Sequence, residues 1–337
     1  MRTAPCSFKT PLILLLMVGS LGLAACGAEP ATPPDGGGVA ADLASADPVD
    51  LADPPPADLA SPADLTPAAA CEGRPLEMPG DSTRTLRFAN KDRTYILHVP
   101  TGYDPRRAYP LVLGFHGFTG NSREFLDGTG LPAEADRRGA LVVAPQGTGV
   151  LPGWNAGACC GEAQFNKVDD IGFVRALLDT LEKGLCVDPK RVYATGFSNG
   201  SFFSNRIGCE IADRVAAIAT VSGGLVFSPC NPARPIPVLA FHGTKDGTVD
   251  YNGNAGLGFP SATKSFTDWA QRDGCMGMSA VTLQSGKTRC EGYTQCRAGV
   301  VATLCTLTDG THSWPDGKLG IVATPTIFDF FGQFRLP

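Results

Sequence analysis

Six short aliphatic runs, YPLVLGFH, ALVVAP, RVYATG, VAAIATVS, IPVLAFHG and GVVATLCTL, recur between residues 109 and 307. Stretches with helical apolar spacing separate them. Runs so nearly continuous in Val, Ile, Leu and Ala suit strands buried on both faces, which is the condition of a parallel sheet. Helices are expected near 123–138, 169–184, 200–212 and 262–272, and again in TPTIFDFFGQF. The second is the clearest: Asp169 or Asp170 can cap it, and Ile171, Val174, Leu177, Leu178 and Leu181 share one face. Ahead of the runs, TRTLRFANKDRTYILHVP predicts two antiparallel strands around a turn at Asn90-Lys91-Asp92. The expected class is α/β, a mostly parallel central sheet with helices on both faces. The short connection between VAAIATVS and IPVLAFHG leaves no room for a large cap domain. In such sheets, sites gather at the carboxyl ends of the strands.

None of this pattern reaches the first 70 residues. Residues 1–25 have a basic start at Arg2 and Lys9, an apolar run from Leu12 to Leu23 too short to span a bilayer, and a small-residue end, the form of a secretory signal peptide. Leu23-Ala24-Ala25-Cys26 resembles the lipobox of bacterial lipoproteins, which makes Cys26 the lipidation site and the lipid the sole membrane contact. A plain cleaved signal is the alternative. Gly27 after that cysteine resembles the outer-membrane sorting signal of Gram-negative lipoproteins, so the expected location is the outer membrane or cell surface, or secretion. Residues 26–70 follow as a Pro-, Ala- and Asp-rich linker without Lys or Arg, too poor in large apolar groups to offset its ordering entropy. The folded domain is therefore expected over 71–337.

That domain carries 26 basic and 25 acidic residues, a balance that argues against nucleic acid as a partner. Ten cysteines, all from Cys71 onward, read in an exported domain as up to five disulfides. Zinc is disfavoured because there is no C-x-x-C and the histidines lie far from the cysteines in sequence. Cys159 and Cys160 are expected to pair with different partners, because a ring closed between neighbours is strained. Oligomeric state is not legible in the sequence.

The segment KRVYATGFSNGSFFSNRIGCE holds Gly196-Phe197-Ser198-Asn199-Gly200 between a strand candidate and a helix candidate. A strand-to-helix turn this tight strains its central residue and requires small neighbours, here Gly196 and Gly200. A serine hydroxyl needs a histidine base, and that base needs an acid to fix its tautomer. After Ser198 only His242 and His312 remain. His312 lies in a loop after the last strand, where a base belongs, whereas His242 ends a strand and suits packing or a hydrogen bond. Asp246 is the favoured acid, with Asp250 and Asp309 as rivals. The oxyanion of an acyl-transfer intermediate needs two amide donors, assigned to Asn199 and to Phe118 in LVLGFHGFTGN, with Gly117 allowing close approach. His116 is read as a structural hydrogen-bonding residue.

With these residues in hand, the chain resembles the feruloyl esterase and polyhydroxybutyrate depolymerase-like group of α/β-hydrolases, related to carbohydrate esterase family 1. LVLGFHG, WNAGACCG, VDDIGFVRALLDTL, CVDPKRVYATGFSNG, PVLAFHGTKD and THSWP carry the resemblance, in that order, across residues 85–335. It implies a Ser198, Asp246 and His312 triad, an acyl-enzyme mechanism, and no metal or organic cofactor. Family members often have a cysteine after the early His-Gly and more glycine before the catalytic histidine, where this chain has Phe118 and Thr311. The expected substrate is a polymer-linked ester, first a feruloyl ester on plant polysaccharide such as xylan, with hydroxyalkanoate esters second. Trp154 and Trp314 are expected to wall the pocket, with a role as hydrophobic plugs as the alternative. A non-catalytic surface-binding lipoprotein is the reading from another class.

Overall fold

The computed structural model describes residues 71–337; the signal, Cys26 and the linker 26–70 lie outside the described residues. One sheet organises the domain, in the order β1-β2-β4-β3-β5-β6-β7-β10-β9-β8. Its strands are β1 (Gly80–Phe88), β2 (Lys91–Val99), β3 (Tyr109–Phe115), β4 (Leu141–Pro145), β5 (Val187–Phe197), β6 (Ala217–Val221), β7 (Val238–Gly243), β8 (Ala280–Ser285), β9 (Thr288–Tyr293) and β10 (Ala302–Leu307). The centre, from β4 through β3, β5, β6 and β7 to β10, is parallel. Antiparallel strands flank it on both sides.

Alternation along the central strands divides the core. On β5, Val192 and Ala194 join one apolar cluster and Tyr193 the other; on β3, Leu111 and Leu113 oppose Val112 in the same way. One face is covered by α4 (Asp170–Gly184), α5 (Asn199–Glu210) and α6 (Ala262–Arg272) through Leu177, Phe203 and Trp269. The opposite face is covered by α1 (Ser122–Thr129), α2 (Leu131–Arg138) and α7 (Ala323–Phe331) through Leu126, Leu131 and Phe328. The mostly parallel sheet with helices on both faces stands as read, and the described residues form no large cap.

Several local expectations are corrected. The helix near 123–138 is two helices, broken where Gly130 adopts φ 67 and ends α1. The first hairpin turns at Ala89 and Asn90, both at positive φ, one residue earlier than expected, so Lys91 already belongs to β2. Of the two caps expected for α4, Asp169 is the one used, accepting from Gly172 N. The hairpin of β8 and β9 and the short helix α3 (Gly161–Phe165) were not expected.

Among the described residues five disulfides join the ten cysteines: Cys71 to Cys186, Cys159 to Cys160, Cys209 to Cys230, Cys275 to Cys296 and Cys290 to Cys305. The neighbouring pair contradicts the expectation of separate partners. The eight other cysteines of the described residues pair among themselves, leaving Cys159 and Cys160, joined by a cis peptide, for each other.

Candidate active site

The strand order reverses direction at β3 and β5. From β3 the chain steps outward to β4, then returns past β3 to β5 and onward, so the loops leaving β3 and β5 diverge and open a crevice between them. Ser198 stands at the end of β5, immediately before α5, with φ 55 and ψ −118. This is a strained conformation for a residue with a side chain, and the surroundings hold it there. Ser198 N donates to Val221 O on the adjacent strand at 3.0 Å, and Ser198 O accepts from Phe202 N at 3.0 Å. Both flanking glycines are sterically required: a side chain at Gly196 would collide with the Gly200 carbonyl, and one at Gly200 with the Phe115 carbonyl. The Ser198 hydroxyl makes no hydrogen bond to another described residue.

The β3 loop meets the same point. A Cβ at Gly117 would stand 3.3 Å from the Cβ of Ser198, a crowded contact that glycine avoids where this backbone passes the serine. Among the described residues neither Phe118 N nor Asn199 N donates to an acceptor, and Asn199 N belongs to the free first turn of α5. Buried His116 fixes the loop, its Nδ1 2.7 Å from Gly117 O and its Nε2 accepting from Gly147 N at 2.9 Å. Burial holds its pKa below the usual imidazole value, against the pull of the Gly117 carbonyl. His116 thus has the structural placement read for it.

Asp246 and His312 reach this rim from the loops after β7 and β10. His312 Nδ1 lies 2.8 Å from Asp246 Oδ2, and the His312 ring packs on Phe197, the residue before Ser198, at 4.7 Å between centroids. The other carboxylate oxygen accepts from Thr248 N at 2.9 Å and Val249 N at 2.8 Å. Burial pushes this carboxyl up, but the His242 and His312 imidazoles and the two amides outweigh it and hold its pKa well below the usual carboxylate range. The rivals lie elsewhere: Asp309 pairs with Lys245 and Lys287, and Asp250 accepts from Asn252 N.

His242 does more than end its strand. Its Nε2 is 2.8 Å from Val249 O, which fixes the proton on that nitrogen, and 3.5 Å from Asp246 Oδ2. Asp246 therefore lies between two imidazoles. The spacing of four residues in HGTKD is the one signal of this contact in the sequence.

The two tryptophans separate. Trp154 does not wall a pocket: it is fully buried, stacked on Phe203 at 5.2 Å, with Nε1 donating to His116 O at 3.0 Å. Its apolar body is drawn into the core because its one polar atom finds a partner there. Asn199 clamps the same segment, accepting from Trp154 N through Oδ1 at 2.7 Å and donating to Trp154 O through Nδ2 at 3.1 Å. Trp314 is half-buried, edge-on to Phe125, with Nε1 donating to Thr324 Oγ1 at 2.9 Å. It ties the loop carrying His312 to α1 and α7.

No family model matches the chain. Feruloyl esterase B of Piromyces equi is 36% identical over 263 residues, which cover 73% of this chain and 46% of that protein. A probable feruloyl esterase C of Aspergillus clavatus is 33% identical over 202 residues, 57% of this chain and 69% of that protein. The chain thus spans about half the length of the Piromyces relative and just over two thirds of the Aspergillus one. Among solved structures, the acetyl xylan esterase of Aspergillus awamori superposes with a TM-score of 0.57 at 14% identity, covering 74% of this chain and 99% of that one, a likeness of fold.

Proposed function

The chain belongs to the feruloyl esterase family, and on that premise we propose that it is an exported serine esterase in which Ser198, His312 and Asp246 form the catalytic triad. The pairing of His312 Nδ1 with Asp246 Oδ2 at 2.8 Å, beside a serine on a strained turn, carries this reading. Asp246 stays ionised and holds the imidazole with its proton on Nδ1, leaving Nε2 as base. Ser198 Oγ attacks the ester carbonyl while His312 Nε2 takes its proton. Phe118 N and Asn199 N receive the oxyanion, preorganised because neither amide is engaged elsewhere among the described residues. Collapse breaks the bond to the alcohol, which leaves with the proton from His312. Water then attacks the acyl-enzyme, His312 takes its proton and returns it to Ser198 Oγ, and the acid departs.

The substrate proposed is a feruloyl ester on plant polysaccharide, favoured over hydroxyalkanoate esters by the names of the relatives. The absence of a large cap suits a polymer-borne ester. Export is supported by the disulfides, and Cys26 is the proposed lipid attachment point. Comparing kcat/KM on methyl ferulate with that on hydroxybutyrate oligomers tests the substrate: preference for the oligomers contradicts it. Membrane partitioning lost in Cys26→Ala tests the anchor.

A further inference from the structure

A cavity of about 420 Å3 lies beside the turn of the first hairpin, lined by Phe88 and Lys91 from that hairpin and by Thr148, Glu162 and Asn166 from the loop 145–168. None of these side chains takes part in the chemistry above. The loop nevertheless belongs to both places. Thr148 pairs with Gly153 in an antiparallel bridge, Gly153 packs against the Phe118 ring and the Asn199 side chain, and Gly161, next to Glu162, packs against Phe118. One short segment thus forms a wall of the cavity and the support of both proposed oxyanion donors.

The lining chemistry is mixed. Lys91 offers three N–H donors, Glu162 a carboxylate acceptor and Asn166 both functions, and Phe88 adds an aromatic side chain to the lining. Arg93, also in the wall, is spoken for, buried against Asp170 through Nη2 at 2.8 Å. The ammonium of Lys91, the carboxylate of Glu162 and the amide of Asn166 together suit a group that both donates and accepts. A carboxylate or phosphate ligand would meet Glu162 and Asp169, so the balance of charge selects a neutral ligand. Neutral molecules dense in hydroxyl groups, with an apolar C–H face to lay on a phenyl ring, are saccharides. The volume falls in the range of about 300–1,000 Å3 usual for small-ligand sites.

We propose that this cavity is a glycan subsite, holding a saccharide unit of the polymer that carries the ester. The inference rests on the reading of the protein as a polysaccharide esterase, and it adds where the polymer is gripped. Binding here is coupled to the ester site through the shared loop, so a carbohydrate-borne ester gains affinity that a small synthetic ester does not.

The test uses the full chain as Ser198→Ala, titrated calorimetrically with xylohexaose, and the same protein carrying Lys91→Ala and Asn166→Ala. Both substitutions are at exposed positions. The expected result is saturable binding that the double substitution weakens about fivefold or more. With Ser198 intact, the double variant should keep its kcat/KM on methyl ferulate and show a raised KM with unchanged kcat on feruloylated arabinoxylan. Equal xylohexaose affinity in both proteins overturns the subsite, as does absence of binding at millimolar xylohexaose. Failure of the esterase reading would look different: no hydrolysis of methyl ferulate by the unsubstituted chain, whatever the titration shows.

Discussion

His312 Nδ1 meets Asp246 Oδ2 at 2.8 Å across 66 positions of sequence, and Asp246 is held from its other side by the amides of Thr248 and Val249. The carboxylate is thereby fixed and kept ionised before any substrate arrives. Replacing it by an amide removes the acceptor that selects the base's tautomer. Asp246→Asn should lower kcat on 4-nitrophenyl acetate by about 10³–10⁴ with little change in KM. Steady-state kinetics check this; an unchanged kcat would show that His312 is oriented by something else.

The tryptophans make a contrasting pair. Trp154→Ala removes a fully buried ring that stacks on Phe203, and should cost about 3–5 kcal/mol in urea unfolding. Trp314→Phe keeps the ring but loses the donation to Thr324 Oγ1, costing about 1 kcal/mol. Because that bond anchors the loop carrying His312, the second variant should also lower kcat several-fold. A specificity change in the first variant without loss of stability would contradict its assignment to the core.

Asp273, at the end of α6, supplies a pH dependence of stability. Burial raises its pKa to about 7, against the Ile236 amide and the Arg297, Arg234 and Arg272 charges, and its Oδ2 has no partner. Between the ordinary carboxylate range and about 7 the folded protein holds a proton that the unfolded chain has lost. This contribution is therefore greatest at the acid end and declines as pH rises through that window. Asp273→Asn keeps an acceptor for Ile236 N and should flatten the decline, by a few kcal/mol between pH of about 4.5 and 7.5. Urea midpoints of both proteins at the two pH values measure it; parallel profiles would mean that Asp273 is ionised in the folded state throughout.

How much of this was legible in the sequence depends on how local the cause is. The β5 strand, Ser198 and α5 follow from neighbouring residues: the apolar run, two glycines at fixed offsets and the periodic segment after them. Buried strands of the centre were readable for the same reason. The β8–β9 hairpin was not, because β8 is mostly exposed and its residues carry no apolar run. Trp154 was misplaced because its fate depends on Phe203 and the His116 carbonyl, which only the folded chain brings near. The Cys159–Cys160 pairing likewise depends on where eight distant cysteines go. His242 was visible as a residue, but its contact with Asp246 depends on the turn between them.

The central claim is that the hydroxyl of Ser198 is the nucleophile. Its most direct test is the rate of ferulic acid release from methyl ferulate by the unsubstituted protein and by Ser198→Ala, at equal concentration and with matched unfolding midpoints. The account predicts hydrolysis by the first and a loss of about 10⁵–10⁶ in kcat in the second. Comparable rates from the two proteins would contradict it.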